Sequence, residues 1–112
     1  MELPFGLWTY CKVPKLYDYL GIHVSFFAGD HMPIHVHGRS EGRETKAEIT
    51  EENGEVKIRY VTVKKRAPLS PAKQRDFEIL LEHEAAEIIR SWKEFKETGI
   101  APPIRRITKR IR

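Results

Sequence analysis

With 112 residues, 40% of them hydrophobic, the chain can bury one core but not two, which predicts a single domain over residues 1–100. Apolar runs such as Val24 to Ala28 fall far short of the roughly 20 residues that span a membrane, and Met1-Glu2-Leu3-Pro4 lacks the basic start and apolar stretch of a secretory signal. The net charge of +4 is uneven: residues 101–112 hold Arg105, Arg106, Lys109, Arg110 and Arg112 with no acid, leaving 15 basic against 16 acidic groups in the rest. With a single cysteine, Cys11, no internal disulfide forms, so the expected compartment is a reducing cytoplasm with no membrane association.

Residues 1–12 mix Phe5, Trp8 and Tyr10 with Pro4 and Gly6 without a sustained period and read as an irregular or short-strand extension. From Tyr19 or Gly21 to Phe27 the residues alternate, with Ile22, Val24 and Phe26 on one face and His23, Ser25 and Phe27 on the other, which predicts a strand. Ala28-Gly29-Asp30 suits a turn, and Pro33 leads a second extended piece, Ile34 to His37, so the two form an expected hairpin. Thr45 to Thr50 alternates again. Glu52-Asn53-Gly54 supplies a two-residue hairpin turn, and Val56 to Val63 returns with Lys57 and Arg59 opposed to Ile58 and Tyr60, so one side of the sheet is wet.

Ser70-Pro71 predicts a helix start, since a serine oxygen caps free backbone N–H groups and proline is already shaped for the first helical position. Phe77, Leu80, Leu81, Glu84, Ala85, Ile88, Trp92 and Phe95 fall on one stripe, so the helix runs to about Thr98, where Gly99 and then Pro102-Pro103 stop it. The expected fold is α+β: a small antiparallel sheet of about four strands packed against one long C-terminal helix, followed by a basic tail at 101–112.

The densest chemistry is Asp30-His31-Met32-Pro33-Ile34-His35-Val36-His37. In an extended segment His35 and His37 point to one face, where they could hold a divalent transition metal with Asp30, and with His31 or His23 as a further ligand. Without metal, Asp30, His31, His35 and His37 could share acid and base roles in cleaving a phosphodiester. The plainer alternative has Asp30 capping a turn, His31 in solvent, and His35 and His37 filling a half-exposed sheet face. His83, between Glu82 and Glu84, reads as a solvated helix residue, and His23 fits either a structural or a site role.

Val13-Pro14, Gly21-Ile22, the Asp30 to His37 segment, Ala47-Glu48-Ile49 and the Glu87 to Trp92 helix together resemble the domain-of-unknown-function 4160 family of small bacterial proteins, over a core of residues 13–98. The second proline of the family motif is Ile34 here, and residues 1–12 and the basic tail look like additions. The resemblance implies a small toxin–antitoxin-type gene module.

Three readings follow as expectations. One is a module that binds a partner protein or nucleic acid, with Arg105, Arg106, Lys109, Arg110 and Arg112 as the electrostatic arm. Another is a phosphodiesterase or nuclease built on the histidine cluster. A third is a purely structural accessory subunit with the exposed sheet face and the aromatic N-terminus as contact surfaces, and association into a homo-oligomer is a further expectation for so small a domain.

Overall fold

The computed structural model describes residues 15–27, 32–100 and 102–111. The aromatic segment 1–12, Val13-Pro14, Asp30, His31 and Arg112 therefore lie outside the described residues.

The elements are β1 (Lys15–Tyr19), β2 (Ile22–Phe27), β3 (Ile34–Ser40), β4 (Arg43–Glu52), β5 (Glu55–Thr62), the helix α1 (Pro71–Thr98) and β6 (Arg105–Ile107). Strands β1 to β5 pair consecutively and antiparallel, and β6 joins the far edge parallel to β1, giving the order β5-β4-β3-β2-β1-β6. Three of the four antiparallel connections are two-residue turns in which both residues have positive φ: Leu20-Gly21, Glu41-Gly42 and Asn53-Gly54. Such turns match the right-handed twist of the strands they join, and glycine in second place meets the backbone demand without a Cβ.

The sheet thus has six strands where about four were expected. β1 is masked in the sequence because its pairing with β2 shifts register between Lys15 and Tyr17, which buries Leu16 and Tyr17 side by side and breaks the alternation. β6 is hidden in the sequence because it has three residues, two of them arginine, and its partner strand is nearly ninety positions earlier. The helix is as expected. Ser70 accepts from the Lys73 N–H at 3.4 Å, Pro71 occupies the first turn, and Gly99 at φ 74° closes the end with its N–H on the Phe95 carbonyl at 2.8 Å.

Period two sorts the sheet into two faces. Ile22, Val24 and Phe26 of β2, Ile34 and Val36 of β3, and Ala47 and Ile49 of β4 are fully buried. Against them α1 sets Phe77, Leu80, Leu81, Ile88, Trp92 and Phe95. Each such side chain contributes about 1.5–3 kcal/mol when fully buried, so this one layer is the principal source of stability. Tilted or edge-on aromatic pairs, Phe26 with Phe95 at 5.8 Å and Tyr60 with Phe77 at 6.1 Å, lock the helix over the sheet. No helix among the described residues is long and apolar enough to cross a membrane.

The closest approach of helix to sheet is at Gly38, where an added Cβ would lie 2.7 Å from Cε1 and 2.8 Å from Cδ1 of Phe77. Phe77 is fully buried and has no free space to yield. Gly38→Ala is expected to lower stability by about 1–3 kcal/mol through overpacking, read as a fall in the urea midpoint at unchanged slope.

Candidate functional site

The face of the sheet turned away from α1 carries nearly all of the chemistry. The turns at Leu20-Gly21 and Glu41-Gly42 place Asp18 opposite His23, Arg39 opposite Glu44 and His35 opposite Glu48, and the β2–β3 pairing puts His23 opposite Arg39. His35 and His37 share this face as expected, about 6.6 Å apart along β3 at the usual rise per residue. His23 also lies on it, one diagonal step from His37, which stands opposite Ser25.

The polar side chains fall into three clusters of one composition: a carboxylate, an imidazole and two cations. Asp18 accepts from Nδ1 of His23 at 2.7 Å and pairs with Lys15 at 2.8 Å and Arg106 at 3.7 Å. Glu44 accepts from Nδ1 of His37 at 2.7 Å and pairs with Arg39 at 3.2 Å and Arg66 at 3.7 Å. Glu48 faces Nδ1 of His35 at 3.9 Å, accepts from Arg59 at 2.5 Å and pairs with Lys46 at 3.9 Å. Glu44 is the most enclosed of the three acids, its side chain 4% exposed beneath its partners.

Each cluster has one more fixed positive charge than negative, so the three clusters together carry a surplus of three before any imidazole is protonated. A carboxylate only accepts, so the close contacts of His23 and His37 put the proton on Nδ1 and leave Nε2 as the available nitrogen. This arrangement orients an imidazole for ligand contact, proton transfer or metal ligation. Among the described residues, no three His, Cys, Asp or Glu side chains come together closely enough to hold a metal ion. His35 and His37 are drawn instead to different carboxylates of β4. Asp30 and His31 lie outside the described residues.

The basic C-terminal residues divide by the alternation of β6. Arg106 turns to the polar face and joins Asp18. Arg105 turns to the helix side, where its guanidinium lies 5.5 Å from the Tyr17 ring and donates to Glu84 at 2.6 Å. Arg110 donates to Asp76, Lys109 is exposed, and Arg112 lies outside the described residues. Glu84 also accepts from the Tyr17 hydroxyl at 2.9 Å and from Nδ1 of His83 at 2.9 Å.

These contacts set the titration of the acids. Burial pushes Glu84 up, but the hydrogen bonds from Tyr17 and His83 together with the Arg105 charge outweigh it and hold the carboxyl below its ordinary value. The same region pushes the Tyr17 hydroxyl well up, first by burial and then by the bond to Glu84. Asp18 is lowered chiefly by its hydrogen bond with Lys15, and Glu48 chiefly by its hydrogen bond with Arg59.

As site residues the sequence marks His35 and His37 but none of Lys15, Asp18, Arg39, Glu44, Lys46, Glu48, Arg59 or Arg66. The turn dipeptide Glu41-Gly42 was the available signal. Counting outward from Ser40 opposite Arg43 brings Glu44 and Glu48 to the histidine strand.

A family described as "Domain of unknown function (DUF4160)" has a sequence model that matches residues 21–93. No curated protein and no solved structure matches the chain.

The lowered carboxylates predict the acid limit of the fold. A depressed folded pKa contributes stability above the unfolded value, roughly 4 for Asp and Glu, and that contribution is lost as the pH falls through the folded value. For Asp18, Glu48 and Glu84 the loss therefore belongs below about pH 4. The urea midpoint measured across pH is expected to show this fall, and Glu48→Gln, which has no carboxyl to titrate, is expected to show a shallower one.

Proposed function

The chain belongs to the DUF4160 family, whose description names no activity, and we propose from the geometry of the polar sheet face that this surface binds the phosphate backbone of nucleic acid. The observation that carries the reading is the threefold grouping of a carboxylate, an imidazole and two cations, the imidazole hydrogen-bonded to the acid in two of the three, and each cluster with one unneutralised positive charge. Asp18, His23, Arg39 and Glu44 form one row across β1 to β4 and the Glu48 cluster lies further along β3 and β4, an extended track that suits a polyanion better than a single small anion. Acids embedded among the cations hold the cationic side chains and imidazoles in place, while the surplus charge is left for phosphate. The family resemblance supports placing this binding within a bacterial toxin–antitoxin-type module, and the single cysteine suits a cytoplasmic setting.

In this reading the C-terminal basic residues contribute unequally. Arg106 belongs to the track, and Lys109 can reach phosphate from outside it. Arg105 and Arg110 serve the fold, because their charges are taken up by Glu84 and Asp76.

A second reading, a His-based phosphodiesterase, is favoured by one detail. Nδ1 of His37 is fixed on Glu44 and Nδ1 of His35 faces Glu48, while no described residue bonds Nε2 of either ring. One Nε2 would take the proton of an attacking hydroxyl and the other would give a proton to the leaving oxygen. A metal-dependent form would use His35 and His37 with Asp30 as ligands to a divalent transition metal.

Three phosphate contacts to a single strand give an expected slope of about −2 for log affinity against log salt. Fluorescence anisotropy with a labelled single-stranded RNA measures it. Arg59→Gln removes one contact and is expected to weaken binding and flatten the slope by about 0.7. Binding that ignores salt, or that Arg59→Gln and Arg39→Gln leave unchanged, would sink the nucleic-acid reading and turn attention to a partner protein. In the same assay, time-dependent cleavage that is lost in both His35→Ala and His37→Ala while binding persists would establish the enzymatic reading.

A further inference from the structure

The C-terminal segment is joined to the body by contacts that the body needs more than the segment does. Asp76 and Glu84 sit on the buried side of α1 at 6% and 7% exposure. Their arginine partners are Arg110 and Arg105, and Arg105 and Arg106 also extend the ladder of β1. Without these arginines Asp76 would be left as a buried charge without a cation, and Glu84 would lose its strongest counter-charge, which is strongly unfavourable. The segment itself has less at stake, its apolar contribution being Ile107 and Ile111, partly buried against the core. None of its described residues 102–111 is buried, Ile104 is 54% exposed, and the ladder it adds is three residues long, finished by the Ile111 N–H donating to the Tyr19 hydroxyl at 2.8 Å.

We infer that the edge of β1 together with Asp76 and Glu84 is a docking site for an arginine-bearing extended strand, and that its occupant in trans is residues 105–111 of a second copy of this chain. This inference does not rest on the nucleic-acid reading. The segment that demonstrably fits the site has Arg105, Arg106 and Arg110 at the spacing that meets Glu84, Asp18 and Asp76, and another copy carries the same segment. Reciprocal exchange rebuilds every one of these contacts in a closed two-fold dimer, so the only new cost is that of association. The connection is suited to redirection: Gly99 ends α1 in the left-handed conformation, and Pro102-Pro103 blocks any continuation of the helix and favours an extended path. Exchange also carries a second copy's Arg106 to Asp18, so the polar faces of the two copies become joined at their edges.

The length of the connection decides between the two arrangements. A short linker gives the cis strand an effective concentration on the order of millimolar, so the full chain is expected to form dimer only as its concentration approaches that level. Deleting Pro102 and Pro103 in the otherwise full chain puts the cis seat out of reach of Arg105 and should shift the protein to a dimer at micromolar concentration, read as a doubling of mass by light scattering on a sizing column. The same deletion carrying Arg105→Gln and Arg110→Gln is expected to dimerise at least ten-fold more weakly, because the strand no longer answers Glu84 and Asp76. A deletion variant that stays monomeric or loses its circular-dichroism signature overturns the inference, as does a dimer that the two glutamines leave equally tight.

Discussion

One helix for one sheet is the constraint from which the rest of the molecule follows. α1 covers a single face of β1 to β5, and the apolar alternation of β2, β3 and β4 is spent on that contact. The side chains at the intervening positions have no helix among the described residues to pack against. They are satisfied sideways, across the strands, by charge and hydrogen bonding. A carboxylate on β1 or β4 is within reach of cations on its own strand and its neighbours, and the clusters at Asp18, Glu44 and Glu48 are the outcome.

Individually these ion pairs add little to stability, since exposed pairs are worth about 0–1 kcal/mol and Arg59 and Arg106 are largely solvated. Their consequence is positional. The arginines gain an anchor at one end while keeping a solvated side, and the imidazoles gain a fixed ring orientation. Glu44 differs from the other two because its carboxylate is nearly enclosed, so there the pairing with His37 and Arg39 is also needed to keep a buried charge compensated. The cluster with the largest structural demand is thus also the one whose histidine is least exposed.

Much of this was written in the sequence as local signals, and what was hidden depended on register. Ser70-Pro71 and Gly99 marked the helix because capping is a property of a few adjacent residues, and Asn53-Gly54 marked the β4–β5 turn for the same reason. Leu20-Gly21 and Glu41-Gly42 are turns of the same backbone type with a poorer first residue, so their local signal is weaker. With them went β1 and the pairing of His23 with Asp18 and of His35 with Glu48, each of which follows from counting outward from a two-residue turn. β6 was illegible for a different reason: a parallel partner reached only after a 28-residue helix leaves no local trace.

The family match spans residues 21–93, and this range contains all eight members of the Glu44 and Glu48 clusters. The third cluster does not fit within it. His23 lies inside the match, but Asp18 and Lys15 come from β1 and Arg106 from β6, both outside it. The flanks therefore extend the sheet and lengthen the polar track in one step, since adding β1 supplies the acid that orients His23 and adding β6 supplies its second cation. Because alternation turns Arg105 toward Glu84 wherever it turns Arg106 toward Asp18, the strand that completes the track is also the one that neutralises the buried side of α1. Whichever copy of the chain provides that strand, the polar face and the core are completed by the same three residues of backbone.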